Sequence, residues 1–543
     1  MDTEILDVAI IGGGVAGVYC GWRLLGADPQ ARGAATPARR KLALFEMSDR
    51  IGGRLLSATP PGMPHVTCEL GGMRYISSQS LCRSLVENVL KLGVRPFPTD
   101  LPGNLQYLRG RRLKGSDLAN TALVPYNLEG AEVGLNPANL LLLALRQLVP
   151  GIDNMSPEQF DEVSRDFRID GQHLYELGFW NLLLRVLSDE AYNFIQDSSG
   201  YYSITTNWNA ADALHMCLGD FAPGITYHAL NDGFESVPRA LAGSFEKAGG
   251  IVHREHRLVS FDSTMLPDRT KGVKLLIDAG GSSMTVLARH LVLAMPRRSL
   301  QLLAQTGCLL DPKHVEIRNL VDSVEGIPLF KVFLAYHAPW WEAVGVSSGR
   351  STTTMPLRQC YYWAVESRQA GADPRNNNAL LLASYDDVRE TFFWRGFENR
   401  AGIEPEPYLE QHNRFAPSEE SHGEAWRRHR APKRMVREAH RQLMALHGVR
   451  DAPEPYAASF RDWSADPFGG GVHFWNVGYN SLDCIPRMVK PLADEPVYIV
   501  GEAYSKTQGW VEGALETSEL MLQRHFGLAA PSWVTNPSSG SPS

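Results

Sequence analysis

EILDVAIIGGGVAG, residues 4–17, is an apolar run that breaks into glycines. Leu6, Val8, Ala9, Ile10 and Ile11 form the nearly continuous hydrophobic stretch of a parallel strand buried on both faces. Gly12, Gly14 and Gly17 then place G-x-G-x-x-G where such a strand hands over to a helix. Gly12 permits the tight turn, Gly14 lets the backbone approach a pyrophosphate, and Gly17 lets the helix pack on the strand. Ala16 lies in the first helical turn, whose free N–H groups and dipole face the phosphates. Val15, Val18, Tyr19, Trp22, Leu24 and Leu25 recur at helical spacing. After a Pro/Gly/Ala-rich loop, Ala27 to Arg40, the strand Leu42 to Phe45 ends in Glu46, placed to accept hydrogen bonds from an adenosine ribose. A glycine turn without a ligand is the competing reading, and strand, helix and acid together weigh against it.

The chain of 543 residues is long enough for two to four domains. Its 44% apolar and 21% charged content is that of a soluble globular protein, and a net charge of −7 argues against nucleic acid as the main partner. Asp2, Glu4 and Asp7 stand where a secretory leader would need lysines, and Leu140 to Leu145 is too short to span a bilayer. Seven cysteines (20, 68, 82, 217, 308, 360 and 484) are scattered without C-x-x-C, as reduced thiols of a cytoplasmic protein would be.

Two clusters follow Glu46: Asp49-Arg-Ile-Gly-Gly-Arg54 and Glu69-Leu-Gly-Gly-Met-Arg-Tyr75. Paired glycines beside an arginine let the main chain approach an anion that the guanidinium also grips. Near the C-terminus a short strand, Pro496 to Val500, ends in Gly501-Glu502, and Gln508-Gly509-Trp510-Val511 opens a helix over 511–523. That helix N-terminus can direct N–H groups at an electron-rich ring edge. Together these motifs resemble the flavin-dependent amine oxidase superfamily, and within it the L-amino acid oxidases, over nearly the whole chain.

The resemblance implies an α/β (α+β) chain: an interrupted Rossmann-like FAD-binding domain (1–75, 229–310 and 490–528), a mixed-sheet substrate-binding domain (76–129 and 311–489) and a helical insertion (130–228). It implies FAD contacts from Gly12, Gly14, Ala16, Gly17, Glu46, Gly53, Arg54, Gly71, Gly72, Met73, Arg74, Val259, Gly501, Glu502, Gly509, Trp510 and Val511. Arg74 and Tyr385 would hold a substrate carboxylate, the Gly509 carbonyl would accept from the amino group, and Trp510 would stand beside the substrate. Lys331, the one charge in the strand 330–336, would snorkel on sequence grounds alone. The resemblance instead sets it beside the flavin, where a cation favours the reaction of reduced flavin with oxygen. Strand alternation puts Asp387 on the face of Tyr385, where a carboxylate would favour lysine or arginine side chains, and a solvated strand-end acid is the alternative.

The expected activity is FAD-dependent oxidative deamination of an L-amino acid by oxygen. Alternatives are a polyamine or monoamine oxidase or an amino acid 2-monooxygenase on the same scaffold, or a flavin-binding protein without turnover. A homodimer or higher homo-oligomer is implied by the family; a membrane partner and a metal are not, since His412, His422, His429, His440 and His447 lack ligand spacing. His215 and His228 are open candidates for an assisting base.

Elsewhere, Asn136-Pro137 and Ser156-Pro157-Glu158-Gln159 open helices, and the helical pattern continues from Asp170 to Ile195. Trp180, Tyr192, Tyr201, Tyr202 and Trp208 read as core. Arg400 to Ser421 reads as a surface excursion and Arg427 to His447 as one basic helix with an apolar stripe. Trp463, Phe468, Phe474 and Trp475 surround Gly469–Gly471 and could wall a pocket or fill a core. The tail 529–543 is expected to be disordered.

Overall fold

Alternation along Ile5–Ile11 explains why that strand carries so few polar residues. Val8 and Ile10 enter one hydrophobic cluster with Val18, Trp22, Leu241, Phe245 and Leu515, while Ala9 and Ile11 enter another with Leu275, Ile277 and Leu291. A strand covered on both faces has no side left for polar side chains. In the computed structural model, which describes residues 5–26, 40–220, 225–304, 309–398, 405–408, 412–416 and 423–535, this strand is central to the first sheet. It runs parallel to Leu42–Phe45 on one side and to Ser282–Leu293 on the other. Ile251–His253 extends the sheet beyond Leu42–Phe45, and Val497–Ile499 pairs in parallel with Ser282–Leu293. The register Ile11↔Phe45 and Ile11↔Leu293 brings Gly12, Glu46 and Ala294 to the same carboxyl-terminal edge. In open parallel sheets that edge is where ligands bind.

The helix Val15–Leu24 packs against Ser236–Lys247 and Val511–Phe526 over the first face. A buried ion pair fastens the last of these: Arg23 Nε donates to Glu519 Oε1 at 2.7 Å, and Tyr19 O–H donates to the same oxygen at 2.6 Å. The strands His256–Met265 and Lys271–Ala279 continue the sheet antiparallel to Ser282–Leu293.

A second, mixed sheet runs in the order Ala457–Asp462, Leu329–Tyr336, Ala379–Asp387, Gln359–Val365, Arg350–Thr353, Leu105–Leu108, Arg111–Lys114. Every residue of Leu329–Tyr336 is buried, Lys331 included. One face of this sheet packs Phe333, Leu380, Leu382 and Tyr361 against Leu56, Leu70 and Met73, and the other packs Phe330, Val332 and Leu334 against Met435, Val436 and Leu443 of the helix Lys433–His447. A helical unit, including Pro137–Leu148, Pro157–Ser164, Phe179–Val186, Asp189–Ser199 and Ala210–Asp220, shares its own hydrophobic cluster. Its expected starts are present: Asn136 Oδ1 accepts from Asn139 N at 2.9 Å, and Ser156 and Gln159 form a reciprocal capping box.

Four expectations change. The tail, expected to be disordered from residue 529, is described as far as residue 535, and Trp533 is buried beside Trp22 with ring centres 6.4 Å apart. Residues 168–173 form a β-hairpin, Arg168–Ile169 with Gln172–His173, turned at Gly171, where φ is +81°. The basic helix divides into Glu424–Arg428 and Lys433–His447 at Pro432, which supplies no N–H and forces the residue before it out of helical backbone. The boundary drawn at 228/229 falls inside the strand Tyr227–Leu230, which pairs with Tyr75–Ile76 and Val94–Pro96 in a three-stranded sheet. Most of the excursion Arg400 to Ser421, Cys308, His422 and residues 536–543 lie outside the described residues. Among the described residues no helix is long and apolar enough to cross a membrane.

Candidate active site

A cavity of about 1050 Å³ runs from the glycine turn of the first sheet to the second sheet. Gly12, Gly14 and Ala16 line one end with Glu46, while Lys331, Tyr385 and Trp510 line the other. Gly53, Arg54, Gly71, Gly72, Gly501, Glu502, Gly509 and Val511 lie between them.

The glycines of the first turn are required for different reasons. At Gly12 φ is +107°, and a Cβ would stand 2.4 Å from the Ala294 carbonyl oxygen. At Gly17 a Cβ would lie 2.0 Å from the Gly12 oxygen, so Gly17 serves helix packing and does not line the cavity. Gly14 is under neither constraint: φ is −75°, and the nearest protein atom to a Cβ is 3.9 Å away. A glycine with room around it, at a helix N-terminus that opens onto a cavity, leaves that room for a ligand. Glu46 ties this turn to the second strand, accepting from Gly13 N at 2.6 Å and from Ser48 N and Oγ at 2.8 and 2.7 Å.

Midway along the cavity, Arg54 Nη1 pairs with Glu502 Oε2 at 2.7 Å. Glu502 Oε1 accepts from His473 N at 2.9 Å and Gly509 N at 2.7 Å, which fixes the turn before the helix Val511–Phe526. Burial opposes ionisation of Glu502, but Arg54 and His473 hold its carboxyl down at about 2. The N-terminus of Val511–Phe526 is thereby presented to the cavity, where it can stabilise negative charge on a bound ring.

Lys331 Nζ donates to the carbonyls of Glu69 and Gly71 at 3.1 and 2.5 Å and lies 4.7 Å from the centre of the Tyr385 ring. Burial lowers the Lys331 ammonium pKa and raises that of the neighbouring Glu69 carboxyl, which accepts from Ser57 Oγ and Phe234 N. Glu69 belongs to the second glycine–arginine cluster of the sequence, and its electrostatic tie to Lys331 follows only from the folded chain.

Arg74 stands behind the cavity wall. Its guanidinium is half-buried, 4.2 Å from the Tyr227 ring centre and 5.4 Å from that of Phe97, and Nη1 donates to Tyr361 O–H at 3.3 Å. Among the described residues no carboxylate pairs with it. Tyr385 packs edge-on against Tyr201, with ring centres 5.3 Å apart. Tyr201, expected in the core, thus belongs to this cluster, and Trp180, also expected in the core, is exposed. Phe97, Tyr227 and Tyr361 also went unnoticed, since only the fold brings three separate segments around Arg74.

Asp387 does not face the cavity. It is fully buried, accepting from Tyr202 N at 2.8 Å, Ser203 N at 3.0 Å and Ser203 Oγ. The strand ends there, and the unpaired N–H groups of 202–203 capture the carboxylate. Asp220 is a buried acid behind Trp510, which itself lines the cavity. Its Oδ2 accepts from Trp510 Nε1 at 2.7 Å, and burial lifts its carboxyl to about 6 against the opposing effects of Trp510, His215 and Arg74. No sequence pattern marked it.

Met73 packs in the core with Leu70 and Phe97, and Val259 sits at a register shift between Leu258 and Ser260, its carbonyl accepting from Ala304 N at 3.1 Å. Neither lines the cavity, although Arg257 and Leu258 do. His215 is bound to Asp161 at 2.9 Å, and His228 stacks on Tyr75 with ring centres 5.4 Å apart. Of the aromatics around Gly469–Gly471, Trp463 and Phe468 line the cavity, whereas Phe474 stacks on Trp208 at 4.2 Å and Trp475 is fully buried.

The size of the cavity, the open glycine at a helix N-terminus, the strand-end acid and the second helix N-terminus fit an extended dinucleotide that carries a redox ring. Comparison with known proteins agrees. The model of the flavin containing amine oxidoreductase family matches residues 15–395 and 416–520. Aplysianin-A of Aplysia kurodai is 27% identical over 96% of this chain and 90% of its own length. An L-amino-acid oxidase of Siganus canaliculatus is 21% identical over 94% of this chain and 83% of its own. Among solved structures, putrescine oxidase bound to putrescine superposes with a TM-score of 0.62 at 16% identity, covering 97% of this chain and all of that one, a likeness of fold. The chain belongs to the flavin containing amine oxidoreductase family and is an FAD-dependent oxidoreductase.

Proposed function

We propose that the protein oxidises L-amino acids to 2-oxo acids, with ammonia and hydrogen peroxide as the other products. The observation that carries this reading is Arg74: a half-buried guanidinium among aromatic rings with no acid partner among the described residues. Burying such a charge costs free energy unless an anion meets it, and a substrate carboxylate is an anion of the right geometry for a guanidinium fork. An amine without a carboxylate would leave Arg74 unpaired.

Arg74 and Tyr385 hold the carboxylate, and the Gly509 carbonyl accepts from the neutral amine. Trp510 walls the side-chain space and presents Asp220 behind it. A cationic side chain would meet that carboxylate, so the preference for lysine and arginine is assigned to Asp220 in place of Asp387. Bound flavin supplies the two-electron acceptor, and oxygen takes the electrons to give peroxide. The Cα–H leaves with its electron pair, the amine nitrogen loses a proton, and water hydrolyses the resulting imine. Lys331, held by two carbonyls, supplies positive charge near the site of oxygen reduction.

A peroxide assay across the twenty L-amino acids, with D-alanine, putrescine and spermine as controls, tests the reading. Turnover confined to L-amino acids, with free 2-oxo acid as product, supports it. Turnover of the amines at equal efficiency replaces it with an amine oxidase, an amide product with a 2-monooxygenase, and a flavin unbleached by every anaerobic addition with a binding protein.

A further inference from the structure

A second cavity, of about 240 Å³, opens beside the first site and shares none of its lining residues. Its walls include Phe97, Trp341, Tyr361 and Trp363, and its cations are Arg95 and Arg368. Arg368 is spoken for, since both its Nη atoms donate to Glu342 at 2.6 and 2.8 Å. Arg95 is not: among the described residues no carboxylate lies within ion-pairing distance of it. Among the described residues Glu69 is the acid that acts on Arg95, and the Glu69 oxygens are taken by Ser57 Oγ and Phe234 N. Among the described residues no Asp or Glu lines the cavity.

We propose that this cavity, in which Arg95 faces an aromatic box, is a binding site for a small organic monocarboxylate that carries no ammonium group. A guanidinium without a counter-ion takes the carboxylate. Aromatic walls take the apolar body. The absence of a lining acid disfavours a zwitterion, whose ammonium would find no anion, and this separates the ligand from an amino acid. The volume lies below the ~300 Å³ lower end of drug-sized pockets, which sets the ligand size at that of a simple 2-oxo acid or aryl acid.

The site is coupled to the first through a common wall. Tyr361 lines the cavity and its hydroxyl accepts from Arg74 Nη1, while Phe97 lines it with its ring centre 5.4 Å from the Arg74 guanidinium. A ligand that moves either ring moves a group touching Arg74. The inference rests on the cavity and not on the turnover proposed above.

Equilibrium dialysis of labelled benzoate against the flavin-loaded protein tests it, with the flavin absorbance change reporting the first site alone. Wild type is expected to bind two equivalents. Arg95→Gln should keep the flavin response and bind one; Arg74→Gln should lose the flavin response and still bind one. Arg95→Lys, which retains the charge, should keep the second equivalent more weakly. Ala364→Phe, which fills the cavity and leaves Arg95 in place, should lose it. Binding in wild type of only the equivalent that the flavin reports, or a flavin-silent equivalent retained in both Arg95→Gln and Ala364→Phe, overturns the proposal.

Discussion

Replacing Asp220 by asparagine isolates the charge that the structure sets behind Trp510. Trp510 Nε1 donates to Asp220 Oδ2 at 2.7 Å, and the amide oxygen of Asn can accept the same bond, so the indole keeps its position. What is lost is a charge-assisted hydrogen bond to a cationic side chain, about 1.5–3 kcal/mol. At about 1.4 kcal/mol per tenfold, kcat/KM for L-lysine and L-arginine should fall by roughly 10- to 100-fold, while L-leucine and L-phenylalanine change by less than about threefold. The carboxyl of Asp220 titrates at about 6, so the wild-type ratio of lysine to leucine should decline as pH falls below 6, and the variant's ratio should stay flat. The stability sign is opposite. A carboxyl pKa raised on folding means that the folded chain binds more protons between its ordinary value and 6, so stability falls as pH rises through that window. The asparagine variant avoids that loss, and its Tm at pH 8 should equal or exceed wild type. Parallel losses on lysine and leucine, or an unchanged pH-dependent ratio, would refute the assignment.

Gly14→Ala should fold with an unchanged apoprotein Tm yet purify with less than a tenth of the flavin, because its Cβ meets no protein atom within 3.9 Å. Gly12→Ala should lose stability as well, about 1–3 kcal/mol for the strained backbone alone, measured by thermal unfolding. Glu502→Gln should cost about 3–5 kcal/mol by leaving Arg54 without its buried partner. In wild type this carboxyl is depressed to about 2, so its contribution is present above the ordinary glutamate value and drains away as pH falls towards 2; urea titrations should show that acid limb shallower in the variant. Lys331→Met should leave anaerobic flavin reduction within a few-fold and slow reoxidation by oxygen about 100-fold, read by stopped-flow absorbance.

The nucleotide end of the site was legible because its chemistry is local. Strand, glycine turn and strand-end acid lie within Ile5 to Glu46, and their spacing encodes the geometry. The substrate end was legible only in part. Arg74 and Tyr385 came from a resemblance, but the ring cluster around them draws on Phe97, Tyr201, Tyr227 and Tyr361, which no periodicity links. Asp387 shows the limit of strand alternation: the rule gives a face along a strand, and the last residue answers to the backbone beyond it, here the N–H groups of Tyr202 and Ser203. Asp220 closes the helix Ala210–Asp220, where an acid carries no pattern until Trp510 is folded against it. The break at Pro432 was visible in the sequence, and the apolar stripe that continues past it obscured it.

The central claim is that Arg74 binds the substrate carboxylate. Arg74→Gln should reduce kcat/KM for every L-amino acid accepted by wild type by roughly 100- to 1000-fold, from about 3–4 kcal/mol of lost charge pairing, while flavin content and Tm stay at the wild-type values. A kcat/KM within a few-fold of wild type on every L-amino acid, in a variant with full flavin content, would contradict it.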